Sequence, residues 1–237
     1  MSSGIYIATA GAVAQSTALD ATANNIANAT TAGFRADRVT FREALASARS
    51  PDIELVGTGT TRIDSQAGAL TASENPLDLA LDGDGYFAVQ TPNGPRYTRA
   101  GNFQLDDAHN LVTTEGFAVR GEGGAPINIP PEATQISVAV DGTVSADGAE
   151  LGKLELVRFA PSQVKREGGT LFSASGRPTT GDPPKVRSGM LEASNVNIVR
   201  GVVDLVKVSR SYEALMRMIQ GYHDVESRAA RELGTPK

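Results

Sequence analysis

The sequence predicts a mixed, mainly β protein: an all-β central domain flanked by long N- and C-terminal α-helices, which pack as a coiled-coil-like bundle in an assembly. Three observations carry this reading. Apolar and small residues recur at alternating spacings of three and four up to Asn28 and again from Ile198 onward. Short apolar runs, some strictly alternating, fill the middle, and Asp-Gly and Asn-Gly pairs separate those runs.

The first helix is read from Ile5, Ala8, Ala12, Gln15, Leu19, Thr22 and Ile26, which form one seam. The seam side chains are small, so a neighbouring helix can come close. Gly33, just past the pattern, is the expected stop. Asn24, Asn25 and Asn28 crowd the end of this helix, although asparagine disfavours helix interiors because its amide competes for backbone hydrogen bonds. An amide both donates and accepts, so these three are expected to bond an adjacent chain or an exposed helix-end carbonyl and to fix register.

The middle carries the strands LDLAL (77–81), YFAVQ (86–90), ISVAV (136–140) and LELVRF (154–159). Between and beside them lie Asp82-Gly83-Asp84-Gly85, Pro92-Asn93-Gly94, Asp141-Gly142 and Asp147-Gly148, the first read as a hairpin turn. Residues 35–50 are expected to form a short Arg-bearing helix, and 173–189 a surface loop.

The last helix repeats the seam more strongly, through Ile198, Gly201, Leu205, Val208, Tyr212, Leu215, Ile219, Tyr222, Glu226, Ala229 and Leu233. Only Gly201 and Glu226 interrupt its apolar character. Val202, Val206, Ser209 and Met216 form a second stripe beside it, so part of the helix can meet two neighbours at once. Ser194, Asn195 and Asn197 offer N-cap oxygens. The stripe is too wide for one small-residue partner, and ordering a long terminal segment carries a large entropy cost. Ends of this kind become ordered on polymerisation. The candidate subunit-interface residues are therefore the seam positions Ile5, Ala8, Ala12, Gln15, Leu19, Thr22, Ile26, Ile198, Leu205, Val208, Tyr212, Leu215, Ile219 and Tyr222, with the amides Asn24, Asn25, Asn28, Asn195 and Asn197.

Little in the chain argues for catalysis. Among 237 residues there is no cysteine and no tryptophan, and there are two histidines, which excludes thiol chemistry and leaves little for histidine metal sites. A net charge of −5 gives no electrostatic footprint for nucleic acid. Gly83-Asp84-Gly85-Tyr86-Phe87-Ala88 matches a dinucleotide pattern formally, but a strand follows where that chemistry needs a helix N-terminus. Asp82 and Asp84 resemble the start of a calcium loop, yet Tyr86 stands at the third ligand position. Asp106-Asp107 reads as a solvated turn. Asn28-Ala29-Thr30 is a glycosylation sequon by pattern only. Arg35, Arg38, Arg42 and Arg49, offset by Asp37, Glu43, Asp52 and Glu54, are expected on a solvated or subunit-contacting face. No run of 18 apolar residues occurs. The mildly apolar start lacks the basic n-region of a signal peptide, so the N-terminus is expected to be retained. No cofactor, metal, nucleic acid or small-molecule substrate is expected.

Three ordered blocks resemble the flagellar basal-body rod and hook family: ANNIANATTAGFR; NPLDLALDGDGYFAV with YTRAGNFQLD and LVTTEGF; and LEASNVN followed by SRSYEALMRMI. The resemblance implies a structural subunit, exported by the flagellar type III apparatus without signal cleavage, that assembles helically with itself and other rod subunits and transmits torque across the periplasm. It implies polymerisation helices at 1–33 and 197–237, a linker or extension at 34–70, a β-rich outer domain at 71–185 and a return linker at 186–196. The rival reading is a secreted β-rich carbohydrate- or peptidoglycan-binding or hydrolytic protein. That protein needs exposed aromatics or paired carboxylates along a cleft, and it leaves the terminal seams unexplained.

Overall fold

The computed structural model describes residues 3–40, 43–44, 55–56, 60–179, 181 and 183–233. The chain divides into two compact units. One comprises Met1–Ala27, Asp37–Arg62 and Asn197–Lys237, the other Asn28–Ala36 and Ile63–Val196.

The first unit is built on two helices, α1 (Ser3–Ala27) and α2 (Ile198–Leu233), packed lengthwise against each other. Glycines set how closely they approach. A Cβ on Gly4 would lie 2.7 Å from the Tyr222 hydroxyl, one on Gly11 3.4 Å from Leu215, and one on Gly201 3.0 Å from Ile26. Low residue numbers in α1 thus meet high ones in α2, and the pair is antiparallel. The break that Gly201 makes in the α2 seam is where Ile26 seats. Asn197 caps α2, its Oδ1 accepting the Arg200 N–H at 3.0 Å.

Two expectations change in this unit. Helix α1 ends at Ala27, well before Gly33. The chain then turns, with the Thr31 N–H donating to the Asn28 carbonyl. Gly33 does have positive φ (+69°), but it lies outside the helix, and a Cβ there would fall 2.2 Å from the Ala100 nitrogen. The expected helix at 35–50 is replaced by a strand, Asp37–Thr40, paired with Thr60–Ile63. Val39 and Thr40 are β-branched, and Asn25 brackets the backbone of Asp37 (below), so the segment leaves α1 extended. Residues 41–42 and 45–50 of that expected helix lie outside the described residues.

The second unit is β-rich, and its recorded pairings are antiparallel. Its main sheet runs in the order Val164–Gly168, Leu171–Ala174, Gly94–Thr98, Tyr86–Thr91, Ala118–Val119, Leu111–Val112 and Gln104–Leu105, with Leu156–Val157 also paired to Tyr86–Thr91. A meander of Ile136–Val138, Thr143–Ala146 and Ala149–Lys153 lies beside it, together with two ribbons, Leu79–Asp82 with Lys185–Ser188 and Leu70–Ala72 with Met190–Glu192. The core gathers Leu79, Phe87, Val89, Leu111, Ile129, Val144, Leu154 and Val186, with Phe103 edge-on to Phe87. Of these, Leu79, Phe87, Val89 and Leu154 come from the apolar runs read from sequence, whereas Phe103, Leu111, Ile129, Val144 and Val186 lie outside them.

Turn chemistry accounts for several connections. Asp147-Gly148, at φ +49° and +84°, closes a two-residue hairpin with both residues left-handed. The Asp147 carboxylate also accepts from the Thr134 hydroxyl and N–H and from the Gln135 N–H, which holds its pKa below the ordinary carboxylate value. Asp106 accepts from the N–H groups of Ala108 and Asn110, in the turn expected there. Asp82-Gly83-Asp84-Gly85 is a turn but not a hairpin. The strand before it pairs with Lys185–Ser188 and the strand after it with Gly94–Thr98, so the chain changes sheets there. The loop expected at 173–189 contains that pairing strand, because Val186 is buried opposite Leu81.

Gly101 marks the tightest backbone approach in the β-rich unit, where an added Cβ would lie 1.6 Å from the Leu79 carbonyl oxygen. Gly152, in a strand of the same unit, has nothing within 4 Å of its would-be Cβ. Gly101→Ala is therefore expected to destabilise the protein by about 3 kcal/mol or more, and Gly152→Ala by less than about 0.5 kcal/mol. Urea melts followed by far-UV circular dichroism measure both, and equal effects would contradict this packing.

Candidate functional site

In the first unit the seam read from sequence is the face along which the two helices meet. On α1, Ala8 and Ala12 are buried, while Ile5, Gln15, Leu19, Thr22 and Ile26 are half-buried. On α2, Leu205, Val208, Tyr212, Leu215, Ile219 and Tyr222 are half-buried, whereas Ile198 is exposed. The glycine contacts fix a register in which Leu19 comes level with Val208 and Ala8 with Ile219. Ala14 and Ala18 are buried too, although they lie off the seam and are too small to signal burial by hydropathy.

Away from that seam, several large apolar side chains are exposed among the charged residues of the helix surface. Val199, Val202, Val203 and Val206 are exposed, Val199 by 77%, and they stand at i, i+3, i+4 and i+7 on one helix face. Met216, Met218 and Val225 extend exposed apolar surface along α2, and Tyr6, Ile7 and Val13 along α1. Val202, Val206 and Met216 belong to the second stripe seen in the sequence, and the single chain leaves them uncovered. A groove of about 530 Å³ runs between the helices beside this surface, lined by Leu19, Ala23, Leu205, Val206, Ser209, Arg210 and Glu213. The arrangement offers an apolar face to another helix. Among the described residues no group of His, Asp and Glu is placed to hold a metal ion, and no helix is long and apolar enough to cross a membrane.

The asparagines divide by role. The Asn25 side chain donates from Nδ2 to the Asp37 carbonyl and accepts the Asp37 N–H at Oδ1, both at 2.8 Å. This amide thus serves the helix end and the strand that follows it in its own chain. Asn28 Oδ1 accepts from the Thr31 hydroxyl at 3.2 Å, and Asn24 is exposed at the last turn of α1.

Asn195 acts in the second unit. Its Oδ1 accepts the Ala36 N–H at 2.7 Å and its Nδ2 donates to the Gln66 carbonyl at 2.9 Å. Of the three N-cap candidates, Asn197 caps α2, while the Ser194 hydroxyl accepts the Val196 N–H.

Sequence reasoning missed the dominant polar feature of the second unit. Arg35, expected on a solvated or contacting face, is 4% exposed and pairs with Glu192 at 2.7 Å. Arg99 pairs with the other Glu192 oxygen at 3.1 Å and donates to the Leu81 and Gly83 carbonyls. Glu192 also accepts the Gly68 N–H at 3.0 Å, and its own carbonyl takes the Gly33 N–H at 2.7 Å. Burial lowers the Arg99 pKa from its ordinary value, and the Glu192 charge works against that shift. Arg166 lies over the Phe34 ring at 4.4 Å and donates to the Arg35 carbonyl. The one available signal was Arg35 directly after Phe34 and Glu192 directly after Leu191, two charges set inside apolar context.

Comparison with known proteins bears on all three parts of the chain. Residues 5–35 match a model described as "Flagella basal body rod protein", 80–146 the flagellar hook protein FlgE/F/G D1 domain, and 187–232 the flagellar basal body rod FlgEFG protein C-terminal model. The chain is 39% identical to the flagellar basal-body rod protein FlgF of Escherichia coli, with 88% of this chain and 89% of that one covered. It is 33% identical to FlgF of Rhizobium meliloti, over 94% of this chain and 96% of the relative. It is 34% identical to the rod protein FlgG of Bacillus subtilis, over 86% and 88%.

Two substitutions probe the polar contacts. Glu192→Gln keeps the side-chain shape but leaves two buried guanidinium groups without a counter-charge, and it is expected to cost about 3–5 kcal/mol in denaturant melts. Asn25→Ala improves intrinsic helix propensity but removes both bonds to Asp37, and the expected net effect is a loss of about 1–2 kcal/mol. A stabilised Asn25→Ala protein would show that the amide merely decorates a helix end.

Proposed function

Because the chain belongs to the flagellar basal-body rod protein family, whose place is the bacterial flagellar basal body, we propose that it is a rod subunit that assembles helically through α1 and α2 and transmits torque across the periplasm. In this reading 1–33 and 197–237 are the polymerisation helices, 34–70 and 186–196 the linkers, and 71–185 the outer domain. Its partners are further copies of itself and other rod subunits, and it reaches the rod through the flagellar type III export apparatus with its N-terminus retained. The identities to FlgF support a position in the proximal rod.

The observation that carries this reading is the row Val199, Val202, Val203 and Val206, exposed on a helix whose other side is already packed against α1. Apolar side chains gathered on one exposed helix face mark an interaction surface. Subunit association removes them from water, at about 25 cal/mol for each Å² covered. The seam residues Leu205 and Leu215 serve both the helix pair of one chain and, in this proposal, the bundle. Asn24 and Asn28 are proposed to set register between neighbouring subunits.

Val203→Asp separates assembly from folding better than a seam substitution does, because Val203 is 49% exposed and lies off the seam. The purified variant is expected to melt within about 0.5 kcal/mol of wild type. A carboxylate buried at a subunit contact is costly, so cells carrying it should lack rods in isolated basal bodies and fail to swim. Normal motility in such cells would overturn the assembly role of this face.

A further inference from the structure

The other helix of the pair carries a face that suits the valine row of α2, but at a different height. Helix α1 has no charged side chain from Ser3 to Leu19, and its outer side exposes Tyr6, Thr9 and Val13 at i, i+3 and i+7, with Ile7 beside them. A helix whose outward side is apolar and uncharged is suited to burial. The two faces do not meet within one chain. Gly11 lies against Leu215, so Thr9 comes level with Arg217, fourteen residues along α2 from Val203. At the rise of an α-helix that is an axial separation of about 20 Å.

Charge decides between the occupants open to the row. From Val199 to Arg210, α2 carries Arg200, Lys207 and Arg210 against Asp204 alone. Row packed on row would double that basic excess round one contact, and like charges repel. The exposed Met218 and Val225 of α2 stand among Arg217, Asp224 and Glu226, whose charges a packed helix would strip of water. Of the exposed apolar stretches on the two helices, the outer face of α1 alone comes without charge.

Resting on the rod reading above, we propose that the occupant of the valine row is the outer face of α1 from a second copy of this chain. The copies keep one orientation, so the incoming α1 runs antiparallel to α2, as in the chain's own pair. With Thr9 set opposite Val203, Tyr6 falls level with Val206 and Val13 with Val199, so both faces match along their length. Val206 also lines the groove between the helices, which makes the new contact continuous with the seam inside the chain. The two faces lie about 20 Å apart along the axis, so the contact is heterologous. It leaves one face of each kind free at the ends and runs on along the helix axis instead of closing a two-fold pair.

The test exploits the absence of cysteine from the chain. Thr9→Cys and Val203→Cys together introduce the only two thiols, and within one chain they stand too far apart for a disulfide, which needs Cα atoms within about 7 Å. Basal bodies are isolated from cells whose only copy carries both substitutions, oxidised, and run on a non-reducing gel. A ladder of dimers, trimers and longer multimers is expected, with each single variant remaining monomeric. A charge swap gives a second reading without oxidation. Val203→Asp stops swimming, and adding Thr9→Lys to the same chain is expected to restore it in part. Monomers alone from basal bodies that hold the protein, or dimers from Val203→Cys by itself, overturn the pairing and leave the rod reading standing. Should the two thiols keep the chain out of basal bodies, the charge swap decides, and no recovery of swimming overturns the pairing. Wild-type chain missing from basal bodies would instead overturn the rod reading itself.

Discussion

The β-rich unit depends on the carboxylate of Glu192. Its two oxygens hold Arg35, Arg99 and the Gly68 N–H, and its carbonyl takes the Gly33 N–H. Through those partners it ties together three stretches far apart in sequence, at 33–35, 68 and 99, and Arg99 passes the connection on to the Leu81 and Gly83 carbonyls. Asn195, three residues on, repeats the device with neutral groups, holding Ala36 and Gln66. Attraction within a buried ion cluster roughly offsets the cost of desolvating it, so its net contribution to stability is small. A misplaced partner, by contrast, leaves a bare buried charge. The cluster therefore acts mainly to forbid wrong arrangements of segments that have few apolar residues to place them.

What could be read from the sequence follows from how far apart the interacting residues are. The helical seams repeat every three or four positions, and each is visible within its own segment. The antiparallel register of α1 and α2 then sets the two seams face to face. Turns such as Asp147-Gly148 are equally local, because a left-handed pair of residues states its own requirement. The strand Lys185–Ser188 was hidden, since its partner lies about a hundred residues earlier and only Val186 in it is buried. The same distance misled the reading of Asp82-Gly83-Asp84-Gly85. Its glycines do mark a turn, but the strands on either side are claimed by different partners. Arg35 shows the limit most plainly, because its burial follows from Glu192, which nothing near Arg35 in the sequence announces.

Asparagine in the helical segments has a similar double character. The cluster at the end of α1 runs against helix propensity, in which asparagine ranks low. For Asn25 the chain itself supplies the partner, since both amide groups are spent on the backbone of Asp37. An amide at the last turn of a helix satisfies a donor and an acceptor of the departing chain at once, which a Gly stop cannot do. The helix accordingly ends at Ala27, ahead of the glycine that looked like its terminator.

The valines near the start of α2 run against local preference, as do the exposed Ile198 and Val225 of the same helix. A β-branched side chain loses χ1 freedom in a helix, and a largely exposed position returns only part of that cost through burial. Val199, Val202, Val203 and Val206 nevertheless occupy one exposed face within two turns, on a helix that begins with a sound cap at Asn197. Where local preference and surroundings disagree in an otherwise consistent chain, the disagreement falls at functional surfaces. Stiff, compact side chains also lose little further rotamer entropy when another helix packs over them. The residues least suited to a solvated helix are thus well suited to one that finishes its core by association, and they lie beside the face already used to hold α1.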